Sequence, residues 1–162
     1  MWFDTLEILK IPLMGKREYD QLIRKQFISR IAFQGKHPYI APFLYIFDGK
    51  FLYFLSTKYG KKIELFRSNP NVAVEIEDFK ENLEEYNFVT LQGRIQQVTD
   101  VDEKIYVKER FVKMIREKKL SLKVLAALGH SPDDPLQSIL DEEKSYVWKL
   151  VDVNSITGIK NS

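Results

Sequence analysis

The chain has no cysteine among its 162 residues, which removes disulfides, thiolate metal ligands and cysteine nucleophiles together. That fits a reducing compartment, and a cytoplasmic location is the expectation. Histidine is nearly as scarce. His37 and His130 stand too far apart in sequence to suggest a metal-ligand motif or a Ser-His-Asp arrangement, so neither is assigned a role and no metal is expected. An excess of charge is missing as well, since 25 basic and 23 acidic residues leave only +2. No net field then drives wholesale binding to nucleic acid or to an anionic membrane. No apolar run approaches the roughly 20 residues that span a bilayer. The opening MWFDTLEILKIPLM is broken by Asp4, Glu7 and Lys10 and has no cationic start, so it reads as a packed N-terminal arm rather than a signal peptide. Glycine-rich GxGxxG and Walker-type phosphate loops are also absent, which argues against a doubly wound nucleotide-binding fold.

What is present is a core-forming composition, 44% hydrophobic and 30% charged, enough for one compact domain over residues 1–162. Residues 1–15 form the arm, 16–100 a barrel core, 101–141 a helical excursion and 145–160 a closing strand. Tyr19, Leu22, Ile23 and Phe27 recur at spacings of three and four, which predicts a helix over 17–27. Aromatic and branched runs at 28–33, 39–47 and 51–55 predict three strands. Asp48-Gly49 between the last two predicts a hairpin with a type I′ turn. A short helix over 60–68 ends at Asn69-Pro70. Strands follow at 72–77 and 88–98, where Gly93 marks a bulge or a close backbone approach. Thr99 and Asp100 can cap a helix over 101–118, and a second helix over 121–128 stops at Gly129 and Pro132. A last strand covers 146–153 with 155–160 as its tail. Five early strands, a helical pair and a closing strand make the chain mainly β with α, and the fold expected is an antiparallel β-barrel with peripheral helices.

One segment carries chemistry, STKYGKKIELFRSNP from Ser56 to Pro70. A strand delivers Ser56 and Thr57 to a loop, and Gly60, Lys61 and Lys62 open the helix beyond. Unpaired helix amides, a hydroxyl and two ammonium groups can hold a phosphate. Lys58, Lys61 and Lys62 can equally be a solvated basic turn. Arg30 lies in an apolar strand run, from which it can reach a ligand or pair with Asp20 or Glu75.

In order along the chain, MGKREYDQLI, ISRIAF, PYIAPFLYIFDGKFLYFLS, GKK, NPNVAVEIE and FVTLQGRI resemble the blocks of the pyridoxamine 5′-phosphate oxidase-like FMN-binding split-barrel family, especially small prokaryotic members related to nitroimidazole reductases. The most specific piece joins Phe54, Ser56, Lys61, Lys62, Asn69 and Pro70. The resemblance implies that Ser56, Lys61 and Lys62 hold the FMN phosphate, with Thr57 beside them and Leu55 against the flavin. It implies that Ile40, Ala41, Pro42, Phe43, Leu44 and Tyr45 line the isoalloxazine. It also implies a homodimer with FMN at the interface, where Phe88 occupies a position that is often Gln or Ser in the family. Oxidases of the family carry basic side chains where this chain has Ile40 and Tyr45, which points away from pyridoxamine phosphate itself.

The function expected is therefore that of an FMN-dependent oxidoreductase using NAD(P)H or a similar reductant on a small molecule. A carrier of FMN, of the deazaflavin F420 or of heme is the alternative. A nucleic-acid platform is disfavoured, because the basic residues form one local cluster rather than a stripe.

Overall fold

The computed structural model describes residues 10–161. The proposed arm thus falls mostly outside the described residues. Its last part, Pro12 to Met14, runs alongside the end of the closing strand, where Met14 N–H donates to Gly158 O at 2.8 Å.

Ten residues, Lys16–Lys25, form helix α1. Strand β1 (Ile28–Phe33) and strand β2 (Tyr39–Phe47) match the expected bounds, and β3 runs Leu52–Thr57. Helix α2 (Lys61–Ser68) leads into β4 (Asn71–Phe79) and β5 (Tyr86–Gln97). Helix α3 (Val101–Glu117), a 3₁₀ helix (Leu122–Leu128) and the one-turn α4 (Ser138–Asp141) precede β6 (Ser145–Lys160). The six strands, all paired antiparallel, close into a barrel in the order β1-β2-β3-β6-β5-β4, with β4 returning to β1. Closure gives every strand two neighbours, which is how an antiparallel sheet this apolar limits association through its edges. It is loosest between β2 and β3, which pair only at Tyr45–Phe47 with Leu52–Phe54. Among the described residues no helix is long and apolar enough to cross a membrane.

Three local expectations change. The β2–β3 connection is a four-residue loop rather than a two-residue type I′ turn, because the last ladder pair is Phe47 with Leu52. Only Gly49 takes a positive φ, of 97°, while Asp48 Oδ1 accepts the amides of Lys50 and Phe51 and so needs no left-handed conformation. The segment 155–160 is not a tail, since β6 continues through it and pairs with β5 to the end. The bulge signalled by Gly93 lies across from it, on β6, between Val151 and Ser155. Asp152 there has φ 51°, and its carboxylate takes two bonds from Arg94. Gly93 is required by the close approach, because a Cβ at that position would sit 2.8 Å from Val151 O.

Alternation along the strands builds two cores. Inside the barrel Phe33, Phe43, Phe54 and Trp148 pack edge to face or tilted, joined by Ile31, Val74, Ile76 and Val89. Outside it, Ile46, Tyr53, Leu55 and Val147 are covered by Val107, Phe111 and Ile115 of α3, by Leu125 and Leu128 of the 3₁₀ helix and by Ile139 of α4. Burying each of these side chains stabilises the fold by about 1.5–3 kcal/mol. Asp100 caps α3 by accepting the Glu103 amide, as its sequence position predicts. Tyr53 and Lys149 both bond the Glu103 side chain, which ties the first turn of α3 to the barrel wall.

Candidate functional site

The helical cover stops at Leu128. Beyond that edge the outer face of β2 and β3 meets the N-terminus of α2 in a cleft of about 310 Å³. Pro42, Leu44 and Leu55 give it an apolar floor, Thr57, Gly60, Lys61 and Lys62 a polar end, and Ala127 and Leu128 a far wall. Gly60 precedes α2 with φ 107°, a left-sided conformation that glycine tolerates and other residues resist. Among the described residues no side chain caps the helix, so the amides of Lys61 and Lys62 keep their capacity for an outside acceptor. Thr57 Oγ1 donates to Tyr59 O at 3.0 Å and holds the turn that carries the chain to Gly60.

The two lysines are set against aromatic faces, Lys61 over Tyr39 at 5.2 Å and Lys62 over Phe43 at 5.6 Å. Burial lowers the pKa of Lys62 below the ordinary lysine range, with no carboxylate among the described residues to offset it. A half-buried ammonium without an acid beside it is stabilised by an incoming anion. Chemically, the cleft therefore offers a dianion site at one end and a flat apolar surface at the other.

The structure brings together Ala41, Pro42, Phe43, Leu44, Leu55, Thr57, Lys61 and Lys62 from the residues expected at the cofactor. The others lie elsewhere. Ser56 is fully buried and points into the barrel, and its hydroxyl donates to Thr57 O at 2.9 Å. Strand alternation gives the outward position to Thr57 instead. Tyr45 turns inward, where its hydroxyl donates to Ile23 O at 2.7 Å. It borders a different cleft, of about 510 Å³ between α1, β2 and α3. Ile40 points outward and is 62% exposed, away from the cleft lining. Phe88 stacks on Phe79 at 6.1 Å, on β5. Arg30 lies on the outer face of β1 and pairs with Glu75 at 3.5 Å and with Glu77. Of its two sequence readings, the ion pair is the one formed.

Tyr39, Tyr59, Gly60, Ala127 and Leu128 complete the lining. Gly60 is already singled out with the lysines in the sequence, and Tyr39 and Tyr59 flank residues already named. Ala127 and Leu128 sit some seventy positions downstream in a stretch that reads as an ordinary amphipathic helix, and no local signal marks them.

The family model for pyridoxamine 5′-phosphate oxidase matches residues 15–132. An uncharacterized protein of Rhizobium meliloti (strain 1021) is 32% identical over 89 residues, which are 54% of this chain and 58% of that protein. The chain therefore matches well under two thirds of that relative's length. Among solved structures, a FAD-binding protein of Mesorhizobium loti superposes with a TM-score of 0.71 at 17% identity, covering 95% of this chain and all of the other. The heme storage protein HutZ of Vibrio cholerae does so with a TM-score of 0.66 at 10% identity, over 90% of this chain and 94% of its own. At those identities the solved structures establish the shared barrel. Because the family model runs unbroken from α1 through the 3₁₀ helix and takes in the whole of the lysine-bearing turn, this chain belongs to the pyridoxamine 5′-phosphate oxidase family.

Proposed function

We propose that the chain binds FMN in the cleft between β2, β3 and α2 and acts as a flavin-dependent oxidoreductase on a small molecule. The observation that carries this reading is that Lys61 and Lys62, with no acid among the described lining residues, meet an open helix terminus beside an apolar floor. Lys61 and Lys62 would hold the phosphate by charge-assisted hydrogen bonds together with the first amides of α2. Pro42, Leu44 and Leu55 would lie against the ring system and exclude water from one face of it. Bound flavin supplies hydride and electron transfer, and the protein supplies binding and orientation. An acid or base in the cleft is not required for that chemistry, and the described lining residues include no carboxylate or histidine.

The FAD-binding relative favours a flavin, and the heme storage protein shares the fold with a different ligand. The visible spectrum of the purified protein decides between them. Flavin absorption bleached by NADH or NADPH is the expected result. A Soret band would replace the FMN assignment with heme, and a flavin spectrum inert to reductants would leave a carrier.

A homodimer with the cofactor at its interface is part of the proposal. Ile28 and Ile40 are exposed at 50% and 62% on the outer faces of the paired strands β1 and β2, with the ion-paired Arg30 between them in register, a mixed surface with apolar ends suited to a second barrel. Sedimentation equilibrium giving twice the 19.1 kDa chain mass is expected. A monomer that still carries FMN would remove the interface from the site.

A further inference from the structure

We propose that His130, Asp134 and Glu142 form a binding site for one divalent transition-metal ion, separate from the flavin cleft, that fastens the loop between the 3₁₀ helix and β6. One ring nitrogen of His130 and one carboxylate oxygen from each of Asp134 and Glu142 lie within 4.8 Å of one another. His130 is only 3% exposed, and among the described residues its Nε2 has no hydrogen-bond partner. A buried ring nitrogen without a partner is costly to a fold. A metal ion bound through Nε2 would satisfy it.

The remaining features are those of a prepared ligand set. His130 Nδ1 lies 3.2 Å from Ser138 Oγ. Donation from Nδ1 to that hydroxyl would fix the tautomer that leaves the Nε2 lone pair free, which is how ligating histidines are commonly oriented. Asp134 is held by the Ser131 amide, which donates to its Oδ2 at 3.0 Å. Glu142 is fixed at the end of α4, where its amide donates to Ser138 O at 3.0 Å. The two ends of the loop are clamped at Gly129, whose φ is 89° and where a Cβ would sit 2.4 Å from Lys144 O. The backbone of one turn and one helix end, which carries the ligands, is thereby held in place before any ion arrives.

Lys144 is the cation now beside these carboxylates, with its Nζ 2.7 Å from Glu142 and 3.7 Å from Asp134. Its side chain is 45% exposed, so it can swing into solvent and leave two negative charges to a dication. The other nearby ammonium, Lys108, is engaged by Glu143 at 3.5 Å. One imidazole and two carboxylates suit Zn²⁺, Co²⁺ or Mn²⁺ better than Ca²⁺ or Mg²⁺, which prefer oxygen alone, and water would complete the coordination. The ion would also steady Leu128 and Ala127, which immediately precede the clamp and wall the flavin cleft.

Titration of flavin-free, full-length protein with ZnCl₂ tests the site independently of the flavin proposal, with the visible bands of Co²⁺ as a second probe. One saturable equivalent is expected, with a rise in Tm on zinc addition. Asp134→Asn should weaken binding by about tenfold or more, and Ser138→Ala by about tenfold. His130→Ala should abolish it. Lys144→Ala should tighten it, because the competing ammonium is gone. Should His130→Ala fail to fold, the half-buried Asp134 and the exposed Lys144 carry the test. Absence of saturable binding in both the native protein and Lys144→Ala, or equal binding in native protein and Asp134→Asn, would overturn the site.

Discussion

Ser56 and Thr57 are neighbours on one strand, both buried and both hydroxylated, yet they belong to different parts of the molecule. Ser56 lies on the inner face of β3 with Phe54 and Leu52, inside a barrel packed around Trp148. Thr57 lies on the outer face with Leu55 and Tyr53, where the helical cover gives way to the mouth of the lysine-lined cleft. The inner face is packed around Trp148 and serves mainly stability, meeting the cleft only at Ala41 and Phe43 among the described residues. The outer face is closed only as far as Leu128, and where the cover ends a binding surface begins. A residue's contribution here follows from which side of the barrel wall it occupies more than from its side-chain chemistry.

The largest effect should fall on the inner face. Trp148→Ala removes a fully buried ring packed against Phe33, Phe43 and Phe66, and urea unfolding should show a loss of about 3–5 kcal/mol. Unchanged stability would mean that the barrel interior is not the main core.

On the outer face, Lys61→Ala/Lys62→Ala should weaken FMN binding by about a hundredfold, from two lost charge-assisted contacts. Riboflavin has no phosphate and should bind both proteins alike. Flavin fluorescence titrations with the two ligands measure this, while the midpoint of unfolding should barely move. Equal losses for riboflavin and FMN would place the phosphate elsewhere.

The same contact has a pH signature. Lys62 holds its proton, and so its attraction for phosphate, at low and neutral pH, and loses both as pH rises through its lowered pKa. FMN affinity should therefore decline at a pH below the ordinary lysine range. In Lys62→Ala that decline should vanish from the titration curve.

Thr57→Val should cost about tenfold in FMN affinity by loosening the turn held by the Thr57–Tyr59 bond. Ser56→Ala should leave FMN affinity unchanged and lower stability by about 1 kcal/mol. Calorimetric titration of the pair sets the two faces of β3 directly against each other, and an affinity loss confined to Ser56→Ala would invert the assignment. The smallest effect belongs to Arg30→Gln, whose ion pairs are half exposed. Stability should shift by about 0.5 kcal/mol or less, with FMN binding untouched, as judged by thermal melts and the same titration.

Much of the fold was readable from residue order. Alternation and turn residues gave β1 and β2 their bounds, Asp100 announced the start of α3, and Gly93 marked the close approach to Val151. These features are local, and local propensity decides them. The errors were equally physical. An Asp-Gly pair has two ways to turn, and the Asp48 carboxylate chose the one that caps amides. The segment 155–160 looked like a tail because its strand is interrupted, and a bulge opposite a glycine lets pairing resume beyond it.

The sequence by itself determined that the chain forms an antiparallel barrel with peripheral helices, and that a basic turn follows its third strand, since both depend on patterns a few residues long. Tertiary structure alone decided which of Ser56 and Thr57 faces the cleft, that Tyr45 and Arg30 turn away from it, and that Ala127 and Leu128 close it. It also gathered His130, Asp134 and Glu142, which no spacing rule would have joined. The reason is that the side of the barrel wall a residue meets depends on ring closure and on how a distant helical segment folds back, and neither is encoded within reach of the residue itself.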